Sequence, residues 1–268
     1  MGIMSKFLNK TERYMKKLFP IILSCLLLSA CGTQAIHDSY SSYHNKTAEQ
    51  LYNTALRDLK KGHYNRASNE LEAQNALYPF GAYAKEGMVT LIYAYYKNDE
   101  NDEALATADR YLRLYPMGQY ADYAYYIKGV IAFGRGLTWM QKKIGVSPAP
   151  RDLTNLKDAF MSFDGLVHNF PHSQYIKDSL IRMRYIRNIV AEKELDNANF
   201  YYQRGAYVAA ANRASEVVEH FDGAPAVIPA LVIMVKSYRH LGLNNLADNT
   251  LQIFEASYPN SSQLKTLK

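Results

Sequence analysis

Small and apolar residues return along this chain in a fixed frame, set between polar turns. An aromatic residue followed by proline stands at Tyr78-Pro79, Tyr115-Pro116, Phe170-Pro171 and Tyr258-Pro259, and an alanine lies twelve residues before each proline, at Ala67, Ala104, Ala159 and Ala247. A fifth copy keeps the frame without its proline, with Ala210 twelve residues before the Asp222 of Phe221-Asp222. Four residues after each alanine stand Leu71, Ala108, Phe163, Ala214 and Leu251, one helical turn further along the same face. Upstream, Gly62, Gly205 and Gly242 mark the turn between two helices, with Asp99 in that place in the second copy. Glycine suits a helix end because it takes positive φ at no steric cost.

These positions match the tetratricopeptide pattern, in which two antiparallel helices pack through small residues and a proline ends the second. Ala55, Ala198 and Val235 occupy its close-contact site on the first helix, and Tyr95, Tyr201 and Tyr238 its tyrosine site. Tyr64 and Tyr207 open the second helix. The predicted fold is all-α, a tetratricopeptide-repeat solenoid of about five helix-turn-helix repeats, curved, with a concave groove. The aromatic-proline marks step by 37, 55, 51 and 37 residues, so the inner repeats carry insertions relative to a repeat of about 34. Gly134-Arg135-Gly136 and the stretch from Lys142 to Arg151, with Gly145, Pro148 and Pro150, predict a loop in the third repeat. In the fourth, Lys177 to Arg204 holds neither Pro nor Gly and predicts one long helix. The expected organisation is a leader over 1–30, a flexible tether over 31–46, amino-terminal repeats over 47–133, an insertion loop over 134–152, carboxy-terminal repeats over 153–262 and a tail over 263–268.

The leader changes what kind of molecule this is. Lys16-Lys17 precedes an apolar run from Ile21 to Leu28, too short to span a bilayer, and Leu28-Ser29-Ala30-Cys31-Gly32 resembles a bacterial lipobox. That resemblance implies N-acyl and S-diacylglycerol groups on Cys31 as the first mature residue, with Met15 as a possible start and outer-membrane sorting because Gly rather than Asp follows the cysteine. A plain secretory signal cut near Ala30, or a buried first helix, is the competing reading. The mature chain then keeps Cys31 alone, which leaves no intrachain disulfide and no cysteine metal site. Of the formal charge of +6, residues 1–30 carry five bases and one acid, leaving 26 bases against 24 acids. Such a balance argues against a nucleic-acid partner, which needs a concentrated basic face.

Catalytic patterns are sparse. His-Glu-x-x-His, Gly-x-Ser-x-Gly and a phosphate loop are absent from the sequence. His168 and His172 are spaced i, i+4 only across Phe170-Pro171, and read as surface polar residues beside a turn. Asp99-Glu100 and Asp102-Glu103 read as solvated charge and N-capping. No cofactor is expected beyond the acyl groups, and no enzyme activity.

Longer segments carry a closer resemblance. Tyr78-Pro79-Phe80-Gly81-x-Tyr83, the run from Leu91 to Lys97, the run from Asp109 to Pro116, Phe170-Pro171-His172-Ser173-Gln174-Tyr175, and Tyr201 to Ala209 followed by Asn212-Arg213 resemble the BamD (ComL, YfiO) family, lipoproteins of the outer-membrane β-barrel assembly machinery. The resemblance covers nearly all of residues 47–258. It implies a lipid-anchored scaffold at the outer membrane, facing the periplasm, whose amino-terminal repeats bind unfolded β-barrel precursors through the aromatic-ended signal of their last strand. Its carboxy-terminal repeats would dock the periplasmic domain of BamA and accessory Bam lipoproteins. Departures are the missing proline after Phe221, the basic Gln141-Lys142-Lys143 and the extended amino terminus.

A strand-like peptide needs aromatic pockets with donors at their rims. Tyr78, Phe80, Tyr83, Tyr93 and Tyr96 are candidates for the pockets, Arg66, Arg110 and Arg113 for the donors, and Gly81 for close backbone approach. The competing reading for the aromatics is core packing, for Gly81 a helix end, and for Arg110 and Arg113 solvated charge. Arg204 and Arg213 pair either with partner carboxylates or with Glu194 or Glu216 of this chain. A periplasmic repeat adaptor for cell-wall synthesis or division, and a peptidoglycan-acting enzyme, are the alternative functions.

Overall fold

The computed structural model describes residues 40–137 and 152–267. Cys31, most of the tether and residues 138–151 of the insertion lie outside the described residues. Two compact units divide the chain. The first, Met1–Asn45, contributes one 3₁₀ turn, Ser41–Tyr43, among its described residues. The second, Lys46–Lys268, holds the repeats.

Ten α-helices stand among the described residues of the second unit: α1 (Ala48–Lys60), α2 (Tyr64–Leu77), α3 (Ala84–Lys97), α4 (Asn101–Leu114), α5 (Ala121–Gly136), α6 (Thr154–Asn169), α7 (Ile176–Gln203), α8 (Tyr207–His220), α9 (Val227–His240) and α10 (Asn244–Ser257). They pair in chain order as five hairpins. Each helix packs on the next, and α3 touches α5, α5 touches α7, and α7 touches α9. The first helices of repeats two to five therefore share a layer.

Two recurring turns build this array. Within a hairpin, the residue after the positive-φ position sends its N–H back to a carbonyl five residues earlier: His63 to Asp58, Glu100 to Tyr95, Ala206 to Tyr201 and Leu243 to Tyr238, at 2.9–3.0 Å. This bond satisfies a carbonyl the helix end would otherwise leave open. Gly62, Gly205 and Gly242 have φ of 77°, 73° and 72°, and Asp99 takes 61° in their place. Between hairpins, the aromatic residue donates its N–H to a carbonyl four back, in Tyr78, Tyr115, Phe170, Phe221 and Tyr258 alike. The Phe221 copy keeps that turn without a proline.

Packing follows the predicted frame. Ala67, Ala104, Ala159, Ala210 and Ala247 are all buried, as are Leu71, Ala108, Phe163 and Ala214 a turn later. Leu251 is only half-buried. The tail covers the last repeat: Leu264 and Leu267 are buried in its apolar cluster, and Arg239 Nη1 donates to the Leu267 carbonyl at 2.8 Å.

Two expectations are corrected. Gly134-Arg135-Gly136 is the last turn of α5 rather than loop. A Cβ on Gly136 would fall 2.6 Å from Leu156 Cδ2, so this glycine lets α5 and α6 close together rather than breaking a helix. The acidic pairs do not N-cap: Glu100 sits at the N-cap of α4 without a side-chain capping bond, Asp99 takes the turn, and Asp102 pairs with Arg135 at 2.8 Å. Side-chain capping is seen at α1, where Thr47 and Gln50 form a reciprocal box. Residues 263–267 are docked against the last repeat. The long helix of the fourth repeat spans Ile176–Gln203, 28 residues.

Candidate functional site

A cleft of about 570 Å³ crosses the first three repeats. Leu56 and Leu59 come from α1, and Val89, Thr90 and Tyr93 from one face of α3. Gln119, Tyr120, Asp122 and Tyr123 come from the start of α5, and Gln174 and Tyr175 from the turn before α7. A repeated local device places its tyrosines. Tyr83, Tyr120 and Tyr175 each follow a turn proline by four residues and each stand at the N-cap of a first helix, α3, α5 and α7.

Rings and hydrogen bonds hold the far wall. Tyr175 stacks on Tyr126 with centroids 4.4 Å apart and planes 17° apart, and meets Tyr123 at 5.8 Å. Tyr126 Oη donates to Asp178 Oδ2 at 3.0 Å, and Arg182 Nε donates to the same oxygen at 2.6 Å. Asp122 ties the third repeat to the fourth: Oδ1 accepts from the Tyr123 N–H and Oδ2 from Ser173 Oγ, both at 2.7 Å.

The site resists ionisation of its phenols. Burial pushes the Tyr123 hydroxyl well above the usual tyrosine range, reinforced by Tyr175, Tyr93, Tyr96 and Tyr126. That hydroxyl is buried and has no hydrogen-bond partner among the described residues. Tyr120 and Tyr175 are raised by burial too, with Glu86 adding to the first and Asp122 to the second. Among the described residues lining the cleft, none is Lys or Arg, and Asp122 is a carboxylate.

Of the nine residues expected to bind peptide, only Tyr93 lines this cleft, where it is 40% exposed. Tyr83 is paired with Tyr52 at 5.3 Å, and its carbonyl accepts from the buried Gln74 Nε2 at 3.1 Å. Tyr78 spends its hydroxyl on the Lys46 carbonyl at 2.7 Å, joining the end of α2 to the chain entering α1. Phe80 is 96% exposed on the turn between the first two repeats. Gly81 has no backbone close behind it: an added Cβ would meet nothing nearer than 3.7 Å. Tyr96 lines a separate cleft with Lys97, Val130 and Ile131. Arg66 pairs with the buried Asp58 at 2.9 Å and touches His63, and so belongs to the α1–α2 turn. Arg110 and Arg113 are exposed on α4, a second helix of its hairpin.

Tyr120, Tyr123, Gln174 and Tyr175 were not among the expected contacts. The sequence did hold a signal for three of them, because Pro116-x-x-Gln119-Tyr120 and Pro171-x-x-Gln174-Tyr175 repeat the same phrase.

The carboxy-terminal candidates both belong to the fourth repeat, Arg204 just after α7 and Arg213 on α8. Arg204 lies over the Phe200 ring, its guanidinium carbon 4.3 Å from the centroid, with Phe200 itself half-exposed. Arg213 Nη1 reaches Glu194 Oε2 at 3.4 Å, and with Tyr201, Ala209, Asn212 and Glu216 lines a shallow cleft of about 390 Å³. Among the described residues no group of three or more His, Cys, Asp or Glu is placed to hold a metal ion, and no helix is long and apolar enough to cross a membrane.

Paired helices in series, small residues at every contact and recurrent turns define a tetratricopeptide-type helical-repeat protein. Comparison with known proteins narrows this. The chain belongs to the YfiO family, described as outer membrane lipoproteins, whose model matches residues 44–264. It is 33% identical over 252 residues to the outer membrane protein assembly factor BamD of Neisseria meningitidis serogroup B, covering 94% of each chain. It is 35% identical over 206 residues to the protein of that name from Vibrio cholerae, covering 77% of this chain and 86% of the other. Among solved structures it is similar to PilW, a type IV pilus biogenesis factor, at a TM-score of 0.34 and 13% identity, over 83% of this chain and 99% of that one.

Proposed function

We propose that this protein is a lipid-anchored, non-enzymatic scaffold of outer membrane protein assembly, which holds extended precursor segments in the groove of repeats one to three and docks the barrel-forming subunit through repeats four and five. Membership of an outer membrane lipoprotein family and relatives named as assembly factors support the general role. One observation carries the groove: three hairpins converge on a single aromatic cleft, with Tyr93, Tyr123 and Tyr175 on its walls and the amides of Gln119 and Gln174 among its lining. A strand-like peptide offers alternate aromatic side chains and unpaired backbone groups, and such a cleft meets both needs. Burying one aromatic side chain there is worth roughly 1.5–3 kcal/mol.

Docking of a BamA-like partner, and of accessory lipoproteins, falls to the face of Phe200, Arg204 and Arg213. The guanidinium of Arg213 suits a carboxylate that competes with Glu194. Acyl groups on Cys31 would hold the scaffold at the outer membrane from its periplasmic side. A single myristoyl-sized chain binds membranes only marginally, with a constant of about 10⁴ M⁻¹, so more than one chain is what makes such an anchor durable.

The test is photocrosslinking in growing cells from a probe residue placed at Tyr93, with position 110 as control. Adducts of β-barrel precursors from position 93 and not from 110 are expected. Adducts only from position 110 would move the binding site to α4, and adducts from neither would remove the precursor-binding role. Co-purification of the acylated protein from mild detergent should recover a large barrel subunit. Recovery of wall-synthesis proteins in its place would favour the adaptor alternative.

A further inference from the structure

The far wall of the aromatic cleft is held from behind. Tyr175, which lines the cleft, rests face to face on Tyr126 of α5, with centroids 4.4 Å apart and planes 17° apart. Tyr126 is not one of the described residues lining the cleft, and its hydroxyl donates at 3.0 Å to Oδ2 of Asp178, in the first turn of α7. Arg182, one turn further along α7, donates Nε to that same oxygen at 2.6 Å, and its guanidinium carbon lies 5.1 Å from the centroid of the Phe133 ring on α5. A planar guanidinium serves a carboxylate through its edge and an aromatic ring through its face, so Arg182 has one fixed point on each of two helices. Burial and the Asp178 carboxylate both push the Tyr126 hydroxyl upward, which keeps it protonated and a donor. The turn before α7 has a separate tie, because Asp122 Oδ2 accepts from Ser173 Oγ at 2.7 Å. Loss of Arg182 therefore loosens the rings without releasing the turn.

We propose that Arg182 is a positioning residue for precursor binding: through Asp178 and Tyr126 it fixes the tilt of Tyr175, and so the shape of the aromatic slot in which a strand-like segment lodges a side chain. The inference rests on the groove assignment above and adds how its far wall is set. Contact between aromatic rings depends on their geometry, since offset-stacked and edge-to-face arrangements are favoured over others. With Asp178 Oδ2 accepting from two donors, the Tyr126 ring is held in one orientation. Without Arg182, the Asp178 side chain, 43% exposed, turns to water, and Tyr126 and Tyr175 sample several orientations. Ordering them then falls on the binding step and weakens it. The groove of the first three repeats thereby depends on a side chain of the fourth.

The experiment uses the full acylated protein in mild detergent and a fluorescein-labelled strand peptide ending in phenylalanine, titrated by anisotropy, with melting temperature measured on the same samples. Arg182→Gln, Asp178→Asn and Tyr126→Phe are each expected to weaken binding about fivefold, the size of one lost hydrogen bond. Their melting temperatures should stay close to that of the wild type, because the Arg182–Asp178 pair is partly exposed. Arg182→Lys keeps an i, i+4 pair to Asp178 and should recover most of the affinity. Arg184→Gln removes the same charge from an exposed position on α7 and should leave binding unchanged. The double variant Arg182→Gln with Tyr126→Phe should bind no more weakly than either single variant, because both break one chain of contacts. Losses that multiply in the double variant, an equal loss from Arg184→Gln, or wild-type affinity in Arg182→Gln would each overturn the positioning role while leaving the groove in place. No binding of the peptide by the wild-type protein would overturn the groove assignment and the positioning role together.

Discussion

Gly129 of α5 lies against the ring of Phe163 on α6, so close that a Cβ on Gly129 would fall 2.4 Å from Phe163 Cε1. Two effects of Gly129→Ala oppose each other. Helix propensity favours alanine by about 1 kcal/mol, whereas forcing a methyl into a packed core costs about 1–3 kcal/mol. Phe163 is fully buried and cannot retreat into solvent, so overpacking wins and Gly129→Ala should lower the melting temperature. Gly134 sits in the same helix with nothing among the described residues within 4 Å of its absent Cβ, and Gly134→Ala should raise it by the propensity term alone. Thermal unfolding of both variants checks the opposite signs.

Asp99 holds the left-handed turn that glycine holds in three other hairpins. Replacing it should relieve strain, and Asp99→Gly is expected to be neutral or stabilising by up to about 1 kcal/mol despite the loss of a side chain. Gly205→Ala, at φ 73° and with no steric neighbour, should cost about 1–2 kcal/mol from backbone conformation alone. Chemical denaturation of the two single variants separates these directions.

Tyr123→Phe removes a buried hydroxyl that has no partner among the described residues. Relief of that unpaired group should stabilise the apo protein by about 1 kcal/mol. Because the hydroxyl is buried away from the cleft surface, the same variant should leave peptide affinity unchanged. Calorimetric unfolding with and without saturating peptide should therefore show a higher melting point in both cases and an unaltered ligand-induced shift.

Alkaline pH should unfold this protein by way of its tyrosines. Tyr111, Tyr120, Tyr123, Tyr126 and Tyr175 all have hydroxyls raised by burial. Because the folded values lie above the unfolded ones, their contribution is fully present below about pH 10, and it is lost as pH rises from there through the folded values. Melting temperature followed from pH 8 to pH 12 should stay level and then fall, in step with tyrosinate absorbance. Unfolding that precedes any tyrosinate signal would assign the loss to other groups.

Arg213→Glu should sharply reduce recovery of the barrel subunit while leaving folding intact. The Arg213–Glu194 pair is half-exposed and 3.4 Å long, and such pairs contribute at most about 1 kcal/mol. Pull-down yield and circular dichroism on one preparation distinguish a docking defect from a folding one. Recovery at wild-type level would remove Arg213 from the docking face.

Ala67, Asp99, Gly205 and Phe221 show how much was legible in the sequence. A buried alanine frame, positive-φ turns and inter-hairpin turns recur at readable intervals because each is decided by contacts within a few residues, through steric limits on φ and close approach of two adjacent helices. Asp122 and Ser173, 51 residues apart, show what was not. Where side chains from successive hairpins converge depends on how each hairpin rotates on the last and how its own two helices close, and these are set by particular fits such as Gly87 against Gln74 between hairpins and Gly129 against Phe163 within one. Hence Tyr93 was readable as a groove residue while Arg66, Arg110 and Arg113, equally plausible by spacing, went to a turn and to the exposed face of α4. Helices, turns and repeat number were determined locally by the sequence. Only tertiary packing decided which tyrosines meet in one cleft, and that its fixed charge is a carboxylate.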